Sequence, residues 1–140
     1  MNVCLTSIEE ANGVTMVTAV NDLGKVRGVW HYDKAPVNGG KYMIEFTFSG
    51  NENADIDISG IAVVNGEPAS FSTNGVTDTF TAECEDIDED EDGGAVLYLR
   101  FAADGLEMLA VNGRGSIKAG DMLRFSFPCG EVGIYPYLEI

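Results

Sequence analysis

The chain has 140 residues, 45% of them hydrophobic, with a formal charge of −15 at pH 7 and a sequence pI near 4.1. That length suits one domain, read here over residues 1–140, and the apolar content excludes a disordered chain. Eight scattered basic residues cannot neutralise a phosphate backbone, which excludes direct nucleic-acid binding, and no apolar run reaches the ~18 residues of a membrane span.

The first ten residues lack the cationic and apolar regions of a signal peptide, so the chain as written is expected in the cytoplasm or assembled into a particle. Ser7 and Glu10 fit a helical capping box, but Asn12-Gly13 ends any such helix after about one turn. Strands are expected over residues 14–20 and 25–32. In the second, Trp30 and Tyr32 share a face with Val26 and Gly28, while Lys25, Arg27 and His31 form a basic stripe on the other.

Residues 42–48 set Ile44, Phe46 and Phe48 against Met43, Glu45 and Thr47, the pattern of a strand with one wet face. Ser49-Gly50 reads as a turn, and residues 55–59 alternate Asp-Ile-Asp-Ile-Ser, a strand with its isoleucines inward. Further strands are expected over residues 61–64, 69–72 and 76–82. In the last of these Asp78 is in phase with Val76 and Phe80, so either it sits inward with a partner or, the commoner case, the strand lies at a sheet edge protected by an inward charge.

Residues 83–94 carry Glu83, Glu85, Asp86, Asp88, Glu89, Asp90, Glu91 and Asp92, then Gly93-Gly94, and are expected to form an acidic loop. Carboxylates packed this densely repel one another, so the segment must be solvated, hold a cation or face a basic partner. Beyond it, strands are expected over residues 95–101, 106–111, 122–127 and 133–139, the last with Tyr135 and Tyr137 around Pro136. About ten short strands separated by Asn-Gly and similar turns specify an all-β domain with little or no helix. An antiparallel sandwich of jelly-roll type is the expected architecture, with a closed barrel as the alternative.

The acidic run, set against the basic stripe Lys25, Arg27 and His31, points to a non-enzymatic interaction protein. It would serve as an accessory subunit of an assembly, such as a virion decoration or tail component, or as an acidic inhibitor or immunity protein. Its partner would be a protein with a basic surface or further copies of itself. Asp88-Glu89-Asp90-Glu91-Asp92-Gly93 also matches the opening of a calcium loop, although position twelve is Leu99 rather than a bidentate Glu. A looser Ca²⁺ site would add Asp104. With calcium bracing that loop and Trp30, Tyr32, Tyr135 or Tyr137 stacking on sugar rings, the alternative is a carbohydrate-binding module.

Catalytic signals are sparse. His31 is the lone histidine, Cys4, Cys84 and Cys129 have no metal-ligand spacing, and a Cys129–His31 pair would require the fold to bring the two together. The odd, widely spaced cysteines fit a reducing compartment.

Overall fold

A computed structural model describes residues 1–48 and 56–140. The Ser49-Gly50 turn and Asp55, the first residue of the Asp-Ile alternation, lie outside the described residues. The strands are β1 (Asn2–Ala11), β2 (Val14–Asn21), β3 (Gly24–Trp30), β4 (Lys41–Thr47), β5 (Ala62–Val63), β6 (Ser70–Thr73), β7 (Thr77–Glu89), β8 (Ala95–Ala102), β9 (Gly105–Val111), β10 (Met122–Pro128) and β11 (Gly133–Glu139). The protein is all-β. The described residues contain two single-turn 3-10 helices and no helix long and apolar enough to cross a membrane.

Period-two alternation is realised where it is clearest. Tyr42, Ile44 and Phe46 of β4, Leu97, Leu99 and Phe101 of β8, and Leu123, Phe125 and Phe127 of β10 are all buried, with their intervening neighbours directed outward. The capping-box segment is instead the middle of β1, where Val3 and Leu5 are buried and residues 4 to 11 pair with β2. A neighbouring strand satisfies those backbone groups, and Asn12 (φ 55°) and Gly13 (φ 77°) supply the two left-handed residues of the hairpin turn. Over its described residues, 56–59, the alternation does not make a strand. Ile56 forms one isolated bridge to Val111, and Asp57 caps a 3-10 turn at Ile58–Gly60 by accepting from the Ser59 amide at 3.0 Å.

Five strands close on themselves. β1, β2 and β3 form an antiparallel meander, β3 pairs in parallel with β11, β11 pairs with β4, and β4 returns to β1. This is the closed barrel that stood as the alternative architecture, with the other strands lying outside it. At the β3–β11 seam a Cβ on Gly28 would come within 2.7 Å of the Val132 carbonyl, so the seam closes only over a glycine. Outside the barrel, β6, β7, β10 and β5 pair in that order, and the β8–β9 hairpin adds to β7.

β7 ties the parts together. Glu83 faces Met122 of β10 on one edge and Arg100 of β8 on the other. The strand runs through Glu89, so of the segment expected as a loop only residues 90–94 turn. All seven phenylalanines of the chain meet in one cluster between barrel and outer strands, with Phe46 and Phe48 against Phe71, Phe80, Phe101, Phe125 and Phe127. Ring centroids in this cluster lie 4.8 to 6.4 Å apart, mostly edge to face. Such pairs add about 0.5–1.5 kcal/mol each beyond their burial, which makes barrel and outer sheet one hydrophobic body.

Candidate functional site: the acidic hairpin

The acidic run lies on the distal half of β7 and its turn into β8. Cys84 and Ile87 keep that half attached to the core, since Cys84 is fully buried and Ile87 packs against the buried cluster. A bulge between Cys84 and Asp86 accommodates the change of phase, and the carboxylates point to solvent. The turn is closed by the Asp90 amide donating to Gly94 O at 2.8 Å and the Gly93 amide donating to Asp90 O at 3.2 Å.

Arginines answer only two of these acids. Arg100 donates to Glu85 from Nε at 2.6 Å, holding that carboxyl below its usual range, and Arg114 reaches Glu89 at 2.8 Å. The remaining arginines are engaged elsewhere, Arg124 with Glu67 at 2.9 Å and Arg27 with Glu9 at 3.0 Å. Glu83, Asp86, Asp88, Asp90, Glu91 and Asp92 therefore have no ion-pair partner among the described residues.

The basic stripe is not joined to this run. Arg27 is committed to Glu9, which lies on β1 two strands away, and its Nη1 donates to Gly75 O at 3.0 Å. Lys25 is exposed beside it, and both line a shallow polar groove of about 680 Å³ with Thr6, Thr18 and Thr73. His31 stacks on Tyr135 with ring centroids 4.5 Å apart and planes 5° from parallel. Within the protomer the stripe therefore does not meet the acidic run: Arg27 pairs with Glu9, His31 stacks on Tyr135, and Lys25 has no ion pair among the described residues.

The aromatic platform is also divided. Trp30 is 7% exposed, packs edge-on against Tyr42 and donates from Nε1 to Lys34 O at 2.9 Å, so it belongs to the core. Tyr32 follows the end of β3 and is exposed, as are Tyr135 and Tyr137. Between the last two, Pro136 is buried and a register shift begins, so they do not continue one regular strand face. The calcium set is separated as well. Asp104 occupies the β8–β9 turn, at the far end of an eight-residue strand from Asp90 and Asp92, roughly 25 Å away at ~3.3 Å per residue. Calcium ligands lie within about 2.6 Å of the ion, so Asp104 is not a fourth ligand to Asp88, Asp90 and Asp92. Among the described residues no three acidic, His or Cys side chains are grouped to hold a metal.

Several buried polar groups were less legible in the sequence. Asp78 is fully buried in β7, which has neighbours on both edges, so the edge-strand expectation fails. Its Oδ1 accepts from the Arg27 amide at 3.2 Å and the Cys129 thiol at 3.3 Å, while Oδ2 has no partner among the described residues. Burial raises the Asp78 carboxyl and also the Cys129 thiol, which stays protonated and has Thr73 as its other neighbour. With His31 stacked on Tyr135 and Cys129 held this way, the pair does not present an activated nucleophile. Glu107 of β9 is buried in phase with Leu109 and Val111, and desolvation pushes it up to about 8.

Fold and site together define an all-β protein with a closed barrel core and an anionic hairpin. Comparison of the chain with protein-family models, with curated proteins and with solved structures gave no match, so the chemistry of the hairpin carries the functional reading.

Proposed function

We propose that this is a non-enzymatic interaction protein whose acidic hairpin captures a basic protein surface. The observation that carries the reading is the uneven distribution of counter-charges. All four arginines are already paired, yet six carboxylates of β7 and its turn have no cation beside them among the described residues, on a strand anchored by the core. A preorganised anionic edge speeds encounter with a cationic partner and repels acidic ones, while apolar contacts nearby supply most of the affinity. Such a module serves as an accessory or structural subunit of a larger assembly, including a virion decoration or tail component, or as an acidic inhibitor of a basic target. The calcium-assisted carbohydrate reading loses two of its supports, since Trp30 is in the core and Asp104 is at the opposite end of β8.

The test is a variant carrying Asp86→Asn, Asp88→Asn, Asp90→Asn, Glu91→Gln and Asp92→Asn, all exposed positions. Its circular dichroism should match the parent. Its association rate with a lysine-rich probe protein at low salt should fall about 10-fold or more. Association as fast as the parent's would remove the reading.

A further inference from the structure

The outer face of the hairpin carries more than carboxylates. Residues directly opposite in antiparallel strands share a face, and three such rows cross β7, β8 and β9. They are Glu83–Arg100–Leu106, Asp86–Tyr98–Met108 and Asp88–Val96–Ala110. Each row starts on an acid and ends on an apolar side chain. Met108 is 63% exposed and Leu106 42%, while the inner face of β9 buries Leu109 and Val111. An apolar band is therefore left in water beside the acidic band, and contiguous exposed apolar surface of this kind marks a contact site.

Resting on the reading above, we propose that the occupant of this face is a cationic amphipathic helix of a protein partner. Its Lys or Arg edge lies along β7 and its apolar edge on Leu106 and Met108. Strands sit ~4.8 Å apart, so the two bands are ~10 Å from each other, the width of one α-helix with its side chains. The three rows cover residues 96 to 100 of β8, ~13 Å along the strand, which a helix of roughly nine residues spans. Charge complementarity selects the orientation, because a helix laid the other way would place its cations over Met108 and its apolar side chains over Asp86 and Asp88. A second copy of the chain is a poorer occupant, since a two-fold contact through this face would set the same unpaired acids against one another.

Two lysine/leucine peptides of identical composition test this, one with its leucines on a single helical face and one scrambled. Their binding is measured by fluorescence anisotropy at near-physiological salt. The amphipathic peptide is expected to bind about 10-fold more tightly than the scrambled one. Leu106→Ser/Met108→Ser should erase that preference and leave binding of the scrambled peptide unchanged. The single Met108→Ser, at the more exposed position, provides a milder version if the double variant loses its native spectrum. Equal binding of the two peptides by the parent, or a preference that survives in these variants, would overturn the inference while leaving capture through charge intact. Binding of neither peptide would overturn the acidic-surface reading as well. A dimer in sedimentation that Leu106→Ser/Met108→Ser dissolves would overturn the choice of occupant in favour of a second copy.

Discussion

Glu107 and Asp78 place carboxyl groups where water does not solvate them, and both are raised chiefly by that burial. Around Glu107, Glu45 raises it further, while the Phe46 amide and the Met1 amino group act in the opposite direction. The consequence for stability has a definite sign. Below the ordinary value of 4.5, folded and unfolded chains both hold the proton and the group is neutral in the balance. Between 4.5 and about 8 the unfolded chain ionises freely while the folded one retains its proton, so stability declines as pH rises through this window. Asp121 and Glu85 act at the acid end. Hydrogen bonds from the Lys118 amide and Asn65 depress the first and Arg100 depresses the second, so their contributions are lost below about pH 4. The stability maximum is therefore expected at about pH 4 to 4.5, with a midpoint that falls toward pH 8. Glu107→Gln should flatten that fall in a denaturant titration series. Since each tenfold change in a proton equilibrium is worth ~1.4 kcal/mol, the variant should gain on the parent by a few kcal/mol at pH 8. An unchanged slope would show that Glu107 ionises normally in the fold. At this scale the sequence was only partly readable. Asp78 stood in phase with Val76 and Phe80, but whether an inward charge marks an edge or a partner depends on strands more than forty residues away, and those were not legible.

Among the elements, β4, β8 and β10 were legible because their alternation between apolar and polar is unbroken. β1 was obscured, since its second half offers only Ile8 to the core, beyond a register shift, and owes its conformation to pairing with β2. β7 was underestimated for a different reason. Composition favoured a solvated loop, whereas the inward contacts at Cys84 and Ile87 are displaced in phase by a bulge, which hides a strand from a simple count of two. The acids of the site were thus visible from the outset, but their division into paired and unpaired was not, because it is decided by which arginine each register brings across. The joint between barrel and outer sheet is narrower than either. β3 meets β6 through one parallel bridge, Gly24 to Phe71, at a φ of 139°, and a Cβ there would lie 1.8 Å from the Phe71 carbonyl. Gly24→Ala should therefore destabilise the protein by about 3 kcal/mol or more, lowering Tm by roughly 10 °C. Gly60→Ala, where a Cβ meets nothing within 4 Å, should stay within about 0.5 kcal/mol of the parent. A Gly24→Ala protein that melts with the parent would mean the bridge yields without loss.

For the molecule as a whole, a net charge of −15 on a single domain sets a background of self-repulsion against which every local contact acts. Much of it is concentrated on the β7–β8 hairpin. At ~10 mM salt that repulsion is screened only beyond ~30 Å, and at 0.1 M beyond ~10 Å. Adding sodium chloride over this range should raise Tm. The hairpin variant neutralised at Asp86, Asp88, Asp90, Glu91 and Asp92 should start higher and rise less. A parent melting point indifferent to salt would mean that the carboxylates are too well solvated to strain the fold. The all-β class and the position of the charge were read directly from turns, alternation and composition. Barrel closure stood only as the alternative to a sandwich, because it rests on the parallel pairing of β3 with β11, two segments about a hundred residues apart in the chain.

The length of β7 bears on how the molecule carries load. Its thirteen residues, Thr77–Glu89, pass through the phenylalanine cluster at Phe80 to the charged turn, paired with β10 on one edge over residues 77–83 and, on the other, with β6 over 78–81 and β8 over 83–89. A pull on that turn acts along the strand axis and loads the bonds of β7 to β6 and β10 together in shear, rather than opening them one after another. A hairpin fastened in this way resists a pull on its turn more than one whose bonds open in sequence.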